Sequence, residues 1–175
     1  MIEYRQLRRE EIPAIWTIDR RERIERVFRA GPNGLELVDA PFDVPGWEPG
    51  KAEAMTPVFE ASFDAGRWFG GAFDGGRLVG IAVLESEFFG ADGRTLQLSF
   101  LHVSDETRGT GVGKALFERA RSEAGRRGAA RMYVSASQTE RTVRFYLARG
   151  CQVLSEPDAR LFALEPEDIH LVCAV

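Results

Sequence analysis

The chain has 175 residues, 44% of them hydrophobic, and a formal net charge of −4 at pH 7. This length suits one domain with a filled core, and we expect a single domain over residues 1–175. Acids and bases are mixed along the chain, which argues against nucleic-acid binding as the main function. No apolar run approaches the ~20 residues needed to cross a membrane, and the N-terminus lacks the apolar core of a signal peptide. We therefore expect a cytoplasmic protein that binds neither nucleic acid nor membrane.

Two cysteines, Cys151 and Cys173, are present. They form neither a metal-ligand spacing nor a disulfide framework. The simplest interpretation is two buried free thiols, and no metal site is expected.

The first third of the chain predicts mostly helices. Apolar residues from Glu10 onward follow a helical spacing, and glycine and proline break the chain before residue 35. The predicted elements are a strand (2–7), a helix from residue 10, a helical stripe through Ile24, Val27 and Phe28, a break (31–34), a short extended piece with a turn-rich stretch (35–50), and a helix to about residue 66.

The rest of the chain predicts a strand meander and then alternating strands and helices. Residues 74–77, Asp-Gly-Gly-Arg, are a strong hairpin signal. Residues 95–136 should form a right-handed crossover, which makes its two strands parallel neighbours. The whole order predicts a mixed α/β (α+β) domain with one sheet. The predicted elements are strands 67–73, 78–88 and 95–103, a helix from 112 to 124, strand 131–136, a helix from 140 to 149, and strands 151–154, 161–164 and 169–174.

A glycine-rich loop at residues 108–114 separates a predicted strand from an amphipathic helix. Glycines leave backbone N–H groups uncovered, and the helix N-terminus adds partial positive charge. Arg108 and Lys114 add positive charge on either side. The loop therefore predicts a phosphate or pyrophosphate site, although such a turn can also be only a tight connection.

Two well-known phosphate loops do not fit this segment. A Walker A loop needs glycine six positions before its lysine, where Arg108 stands, and Ala115 replaces its magnesium-binding Ser/Thr. A dinucleotide fingerprint needs a third glycine where Lys114 stands. The missing Ser/Thr also disfavours a nucleotide-hydrolysing enzyme.

The third pattern is the pyrophosphate loop of GNAT acetyltransferases, Arg/Gln-x-x-Gly-x-Gly/Ala, and Arg108, Gly111 and Gly113 match each specified position. Residues 101–104, Leu-His-Val-Ser, resemble the family's fourth strand as it runs into this loop. Residues 145–151, Phe-Tyr-Leu-Ala-Arg-Gly-Cys, resemble its Phe-Tyr-x-x-x-Gly-Phe signature. The chain is thus identified as similar to the GNAT superfamily, most specifically over residues 67–155.

The resemblance implies a GNAT fold: a central, mostly antiparallel twisted sheet with a parallel central strand pair, flanked by helices. The parallel strands would splay near a bulge, and the pantetheine arm of acetyl-CoA would add in the gap like an extra strand. The implied activity is transfer of acetyl from acetyl-CoA to a primary amine by direct attack through a tetrahedral intermediate. The residues implied to bind acetyl-CoA are Leu101, Val103, Arg108, Gly109, Thr110, Gly111, Val112, Gly113, Lys114 and Thr139.

The signature helix supplies the implied general acid. Tyr146 falls on the family tyrosine that stands near the cofactor sulfur, where it would protonate the departing thiolate. The alternative is an ordinary aromatic core residue. Seven positions earlier, where many relatives carry a cofactor-contacting Asn, this chain has Thr139, so that contact rests on a hydroxyl.

The general base stays open. Glu85 lies on the strand before the crossover, where relatives often place a carboxylate that acts through water. His102 has a reference pKa suited to proton transfer near neutrality. However, Leu96, Leu98, Phe100 and His102 alternate onto one face, so His102 also fits a structural role. A water chain without a dedicated base is the third alternative.

Residues 20–66 should shape the acceptor site, with residues 41–47 as the best candidate loop. The acceptor would be a small-molecule amine or a peptide. An inactive coenzyme A-binding sensor or interaction module, or transfer to a hydroxyl group or of a longer acyl chain, would share the same motifs. A homodimer would form through the C-terminal strands. The candidate side chains for an acceptor pocket are Trp16, Phe42, Trp47, Asp39, Asp43 and Glu48.

Overall fold

The computed structural model describes residues 1–32 and 34–175. Its elements, in chain order, are β1 (Ile2–Gln6), a 3₁₀ helix (Arg9–Thr17), β2 (Glu22–Gly31), β3 (Gly34–Val44), α1 (Lys51–Asp64), β4 (Trp68–Asp74), β5 (Arg77–Leu84), β6 (Thr95–Val103), a short 3₁₀ turn (Asp105–Thr107), α2 (Val112–Arg126), β7 (Arg131–Ala136), α3 (Glu140–Leu147), β8 (Gln152–Val153), α4 (Ala159–Leu164) and β9 (Ile169–Ala174).

Seven strands form one sheet in the order β1-β4-β5-β6-β7-β9-β8, and β2 pairs with β3 in a separate hairpin. Strands β6 and β7 are parallel, whereas the other neighbours in the large sheet are antiparallel. The crossover from β6 through α2 to β7 is therefore confirmed. So is the predicted fold class, a mixed α/β fold with a mostly antiparallel sheet and a parallel central pair.

Helices cover both faces of the large sheet. Helix α2 buries Leu116, Phe117 and Ala120 against one face, together with Leu96 and Leu98 of β6. The 3₁₀ helix and α1 cover the opposite face, where Ile12, Ile15, Phe59, Phe69 and Ile81 form the second core cluster. No helix among the described residues is long and apolar enough to span a membrane.

The helical stripe predicted through Ile24, Val27 and Phe28 is wrong, because these residues lie in β2. The pairing of β2 with β3 shifts register between Ile24 and Arg26. Ile24 pairs with Phe42 and Arg26 pairs with Asp39, so the extra residue of this bulge lies on β3. Ile24 and Val27 are both buried in β2, although strict alternation would place them on opposite faces. Two buried residues three positions apart in an irregular strand pair thus have the spacing of a helix. The predicted break at 31–34 includes Asn33, which lies outside the described residues.

Two other predicted elements also differ. Residues 41–44 belong to the long strand β3 rather than to a turn-rich loop. The predicted strand at 161–164 is part of α4, because the Asp158 carboxylate caps this helix by accepting hydrogen bonds from the Arg160 and Leu161 N–H groups at 3.1 and 3.0 Å.

The prediction of two free thiols is wrong as well. Cys151 and Cys173 form a disulfide, and both residues are buried. Cys151 follows the C-terminal end of α3, and Cys173 lies on β9. The bond therefore ties the end of α3 to the sheet, across a sequence separation of 22 residues.

Candidate functional site

The central feature of the site is a gap between β6 and β7. The two strands pair only from Thr95 to Gln97, opposite Arg131 to Tyr133. Beyond these pairs β6 continues to Val103 without a partner on its β7 side among the described residues. The predicted splaying of the parallel pair is therefore present.

A β-bulge at Ser99 marks the start of this gap. Val83 pairs with Phe100 and Leu84 pairs with Leu98, so Ser99 has no partner on β5. The extra residue inverts the alternation of side chains along β6. As a result, Leu98 packs with the α2 face and Phe100 with the α1 face.

The expectation that Leu96, Leu98, Phe100 and His102 share one face is wrong for this reason. Leu96 and Leu98 lie in the α2-side core, whereas His102 contacts aromatic rings on the α1 side. The bulge therefore turns His102 away from α2.

Backbone groups of β6 open into the gap. The Ser104 N–H donates to the Val79 carbonyl at 2.8 Å. This bond identifies Ser104 as one of the residues whose peptide groups hydrogen-bond to the neighbouring strand β5. In an antiparallel pair these residues alternate, so His102 faces β5 while Leu101 and Val103 direct their peptide groups away from it. This is the arrangement that a strand-like ligand in the gap requires.

The glycine loop lies at the end of the gap, where α2 begins. Gly109 and Gly111 have φ of 80° and 93°, and a Cβ at either position would meet no atom within 4 Å. The first helical bond runs from the Ala115 N–H to the Gly111 carbonyl at 3.0 Å, so the amides of residues 112–114 have no intrahelical acceptor. No side chain caps this end, and its first turn holds no acid. The geometry suits an anion.

Gly113 joins the loop, β6 and α3. A Cβ there would lie 3.3 Å from the Phe145 ring and 3.5 Å from the Val103 side chain. A methyl group there would press on the Phe145 ring and come into ordinary contact with Val103. Gly113 therefore places the α2 N-terminus close to the helix that carries Tyr146.

The Arg108 guanidinium is bound within the protein. It donates to the carbonyls of Val103 at 3.1 Å and Arg21 at 2.6 Å, and it pairs with the Asp105 carboxylate at 3.0 Å. Arg108 thus holds the turn after the 3₁₀ helix against the end of β6. Lys114, by contrast, is exposed and forms no ion pair among the described residues.

An open depression adjoins the loop on the side of the β2–β3 hairpin. Its arginines extend the positive charge near the α2 N-terminus, although acids partly neutralise each of them. The residues that line it are Arg21, Glu22, Arg23, Asp43, Val44, Pro45, Asp105 and Arg141.

Tyr146 lies on α3 and packs in the core on the α2 side. Its ring contacts Phe117 and Phe145 edge to face, with centroids 5.9 and 5.1 Å away. Burial raises the pKa of Tyr146 well above its ordinary value, the Asp168 carboxylate adds to the rise, and Arg149 opposes it. The Tyr146 hydroxyl forms no hydrogen bond within the described part of the chain, so it is free to act on a ligand.

The Thr139 hydroxyl caps α3. It accepts a hydrogen bond from the Thr142 N–H at 3.2 Å and donates to the Thr142 hydroxyl at 2.9 Å. The backbone of Thr139 also bridges to Val27 of the hairpin. Thr139 is buried at the end of β7, and its side chain is engaged within the protein.

Both residues named as tentative bases have unfavourable surroundings. Glu85 forms an ion pair with Arg67 at 2.5 Å, so its carboxylate is already occupied. Burial, with a smaller contribution from the positive charges of Arg20 and Arg108, lowers the pKa of His102 to about 3. His102 is therefore neutral at pH 7 and a weak proton acceptor.

An aromatic cluster lies beside the gap on the α1 face. The Trp47 ring lies 5.1 Å from Trp16, 6.0 Å from Phe100 and 5.1 Å from His102 between centroids, and its indole N–H donates to the Ile18 carbonyl at 2.8 Å. Phe42, the third aromatic expected in this region, is exposed on β3 instead. The cluster therefore packs against the part of β6 that borders the gap.

Asp168, which lies directly before β9, could not be selected from local sequence patterns. Burial raises the pKa of its carboxyl to about 6, and the Glu165 carboxylate adds to the rise. Nothing in the local pattern separates Asp168 from the adjacent, exposed Glu167. Only the pairing of β9 with β7 brings it to the site.

Residues 35–151, more than half of the chain, match the family model described as the acetyltransferase (GNAT) family. The chain therefore belongs to the GNAT acetyltransferase family. Comparison with curated protein sequences finds no match.

Solved structures show the same fold along nearly the whole chain. Nourseothricin acetyltransferase has a TM-score of 0.74 at 23% identity, with 99% of this chain and 98% of that chain covered. A protein assigned as a streptothricin acetyltransferase from Bacillus anthracis str. Ames, solved with acetyl coenzyme A, has a TM-score of 0.73 at 13% identity, with 98% and 96% covered. The PaiA N-acetyltransferase from Thermoplasma acidophilum, solved with coenzyme A, has a TM-score of 0.64 at 16% identity, with 100% and 99% covered.

Proposed function

We propose that this protein is an acetyl-CoA-dependent N-acetyltransferase that acetylates a primary amine of a small molecule or a peptide. The observation that carries the proposal is the uncapped N-terminus of α2, which opens directly onto the gap between β6 and β7. Family membership and the coenzyme A in two structural neighbours support the donor.

The donor would lie along backbone groups. The amides of residues 109–114 would hold the pyrophosphate. The peptide groups of Leu101 and the N–H of Val103 would bind the pantetheine arm as a neighbouring strand does, while the Val103 carbonyl accepts from Arg108. Arg108 would support this surface from behind, while Lys114 would add charge from solvent. When bound, acetyl-CoA supplies an acetyl group activated as a thioester.

Tyr146 would provide the proton for the leaving group. The acceptor amine forms the new N–C bond, the C–S bond breaks, and the departing thiolate takes a proton from the Tyr146 hydroxyl. The raised pKa keeps this hydroxyl protonated until negative charge develops at the sulfur. The nitrogen is positively charged after the attack and loses one proton, which restores the Tyr146 hydroxyl.

A measurement of turnover distinguishes an active acetyltransferase from a module that binds coenzyme A without activity. We would incubate the protein with acetyl-CoA and a panel of amines and detect acetylated products by mass spectrometry. The panel would include nourseothricin and streptothricin, because two structural neighbours are named for these compounds. Binding of acetyl-CoA without any acetylated amine would favour the module. A product acetylated on oxygen would favour a hydroxyl acceptor.

Replacement of Tyr146 tests whether its hydroxyl is the general acid. We expect Tyr146→Phe to lower kcat about 100-fold, the lower end of what a positioned general acid contributes, and to leave acetyl-CoA affinity unchanged. Tyr4→Phe on β1 is the matched control, because Tyr4 lies far from the gap across β4 and β5. A Tyr146→Phe variant with wild-type kcat would remove Tyr146 from the reaction.

We also infer that a homodimer, if it forms, uses the C-terminal edge of the sheet. Strand β8 is the last strand at that edge, and Val153, Phe162 and Leu164 are exposed beside it. Light scattering on the wild type and on Leu164→Glu would show whether this surface associates.

A further inference from the structure

One partly buried carboxylate has no partner. Asp168 is partly buried, and its side chain forms no hydrogen bond or ion pair among the described residues. Every other partly or fully buried carboxylate in the described part of the chain either forms an ion pair or, in Asp158, caps a helix. Burial of an unpaired carboxylate disfavours folding, which makes Asp168 an exception that needs an explanation.

The position of Asp168 explains why its carboxylate has no partner within the protein. The next residue, Ile169, pairs with Ala136, the last residue of β7, so Asp168 lies at the end of the sheet where the gap is open. The Phe28 N–H of the hairpin donates to the Gln138 carbonyl at 2.7 Å close to this end. The hairpin, the end of β7 and the start of β9 therefore meet beside the gap.

Asp168 and Tyr146 lie on elements that follow the same end of β7, since Asp168 precedes the residue paired with Ala136 and α3 begins at Glu140. Burial is the main cause of the raised pKa of Tyr146, and the charge of Asp168 adds to it. The charged or titratable groups that act on Asp168 and Tyr146 are Glu165, at the end of α4, and Arg149, after α3. None of them forms an ion pair with Asp168.

We propose that Asp168 binds the ammonium group of the acceptor and takes its first proton, which identifies the acceptor as a cationic amine. The assignment rests on the transferase function proposed above. The ammonium passes one proton to the carboxylate, and the neutral amine then attacks the acetyl carbonyl. Asp168 later releases its proton to solvent, so each turnover releases one proton overall.

The polyamine spermidine is a suitable probe, because it presents ammonium groups without other functional groups. We would titrate it into protein saturated with coenzyme A and follow binding by NMR. We expect saturable binding by the wild type and at least a tenfold loss of affinity in Asp168→Asn. Glu167→Gln, which removes the same charge from the adjacent exposed residue, should bind as the wild type does.

Two results would overturn the assignment. One is wild-type affinity in Asp168→Asn, and the other is no saturable binding of spermidine by the wild-type protein at millimolar concentration. Partial recovery of affinity in Asp168→Glu would support a direct charge contact over a structural effect. Coenzyme A binding is measured first in each variant by calorimetry. No spermidine binding by the wild type with coenzyme A binding intact would count against the assignment of Asp168, whereas no coenzyme A binding by the wild type would count against the proposed function.

Discussion

The proposed donor side, which is the α2 N-terminus with the gap between β6 and β7, and the proposed acceptor side are built by different means. The donor side uses backbone: an uncapped helix end, glycines with positive φ, and strand peptide groups that face a gap. The acceptor side uses side chains from distant segments, such as Trp47, His102 and Asp168. A backbone site is specified within a short stretch of sequence, whereas a side-chain site exists only after folding. The proposed donor side is therefore the part that a short stretch of sequence can reveal.

The disulfide joins the end of α3 to β9, and its removal gives the largest expected effect on stability. Closing a loop of this sequence separation restricts the unfolded chain, so the double variant Cys151→Ala, Cys173→Ala should lower the free energy of unfolding by about 3 kcal/mol. Urea denaturation measures this difference. A reducing agent should destabilise the wild type similarly and leave the double variant unchanged. Equal stability of all four samples would show that the thiols are not bonded in solution.

Arg108 and Lys114 flank the same loop, but we expect Arg108 to stabilise the fold and Lys114 to contribute to acetyl-CoA binding. Arg108→Ala removes several hydrogen bonds from one charged group, so we expect a loss of about 2 kcal/mol in unfolding free energy. Lys114→Ala should leave stability unchanged and weaken acetyl-CoA binding about fivefold, since an exposed charge contributes little except to a charged ligand. Thermal denaturation and calorimetry test the pair. Reversed effects would make Arg108 the phosphate ligand and Lys114 the structural residue.

The ionised Asp168 carboxylate should lower the free energy of unfolding, because it is partly buried without a partner. A raised pKa means that the folded state holds this proton more tightly than the unfolded state does. The wild type should therefore lose stability as the pH rises from about 4 to about 6 and change little from this group above that. Asp168→Asn cannot ionise, so it should be more stable by about 1–2 kcal/mol at pH 7, a value reduced for solvent exposure, and nearly equal at pH 4. Denaturation at both pH values tests this, with Glu167→Gln as control. A destabilised Asp168→Asn at pH 7 would mean that the carboxylate has a structural partner.

Thr139 should give the smallest effect. Its hydroxyl caps α3, so Thr139→Ala should cost about 1 kcal/mol of stability, while Thr139→Ser should cost less. If the hydroxyl also contacts the donor, as its position in the family suggests, acetyl-CoA affinity will fall in Thr139→Ala. Affinity equal to the wild type would restrict Thr139 to the helix cap.

Local patterns accounted for most of the donor side. The crossover from β6 to β7, the loop before α2 and the helix that carries Tyr146 all follow from spacing and glycine positions within short segments. The family resemblance then supplied the roles of these residues. Local patterns could not predict that the Arg108 guanidinium hydrogen-bonds within the protein. Its acceptors, the carbonyls of Val103 and Arg21, belong to other segments of the chain.

The acceptor side was harder to predict because bulges and long-range contacts determine it. Ile24 and Val27 are both buried in β2 opposite a bulge on β3, and the bulge at Ser99 moves His102 to the other face of the sheet. Each bulge is a single extra residue that leaves no clear mark in the sequence. The disulfide and the position of Asp168 depend on β9 meeting elements far away along the chain.

Calorimetric titration with acetyl-CoA tests the central claim most directly, namely that the α2 N-terminus and the gap bind the donor. The comparison is between Gly111→Trp, which would fill the loop, and Gly128→Trp at the other end of the same helix. Both glycines have φ near 95° and open space around them, so the backbone strain is matched. We predict micromolar binding in the wild type and in Gly128→Trp, and none in Gly111→Trp. Wild-type affinity in Gly111→Trp, or no binding by the wild type at millimolar acetyl-CoA, would contradict the account.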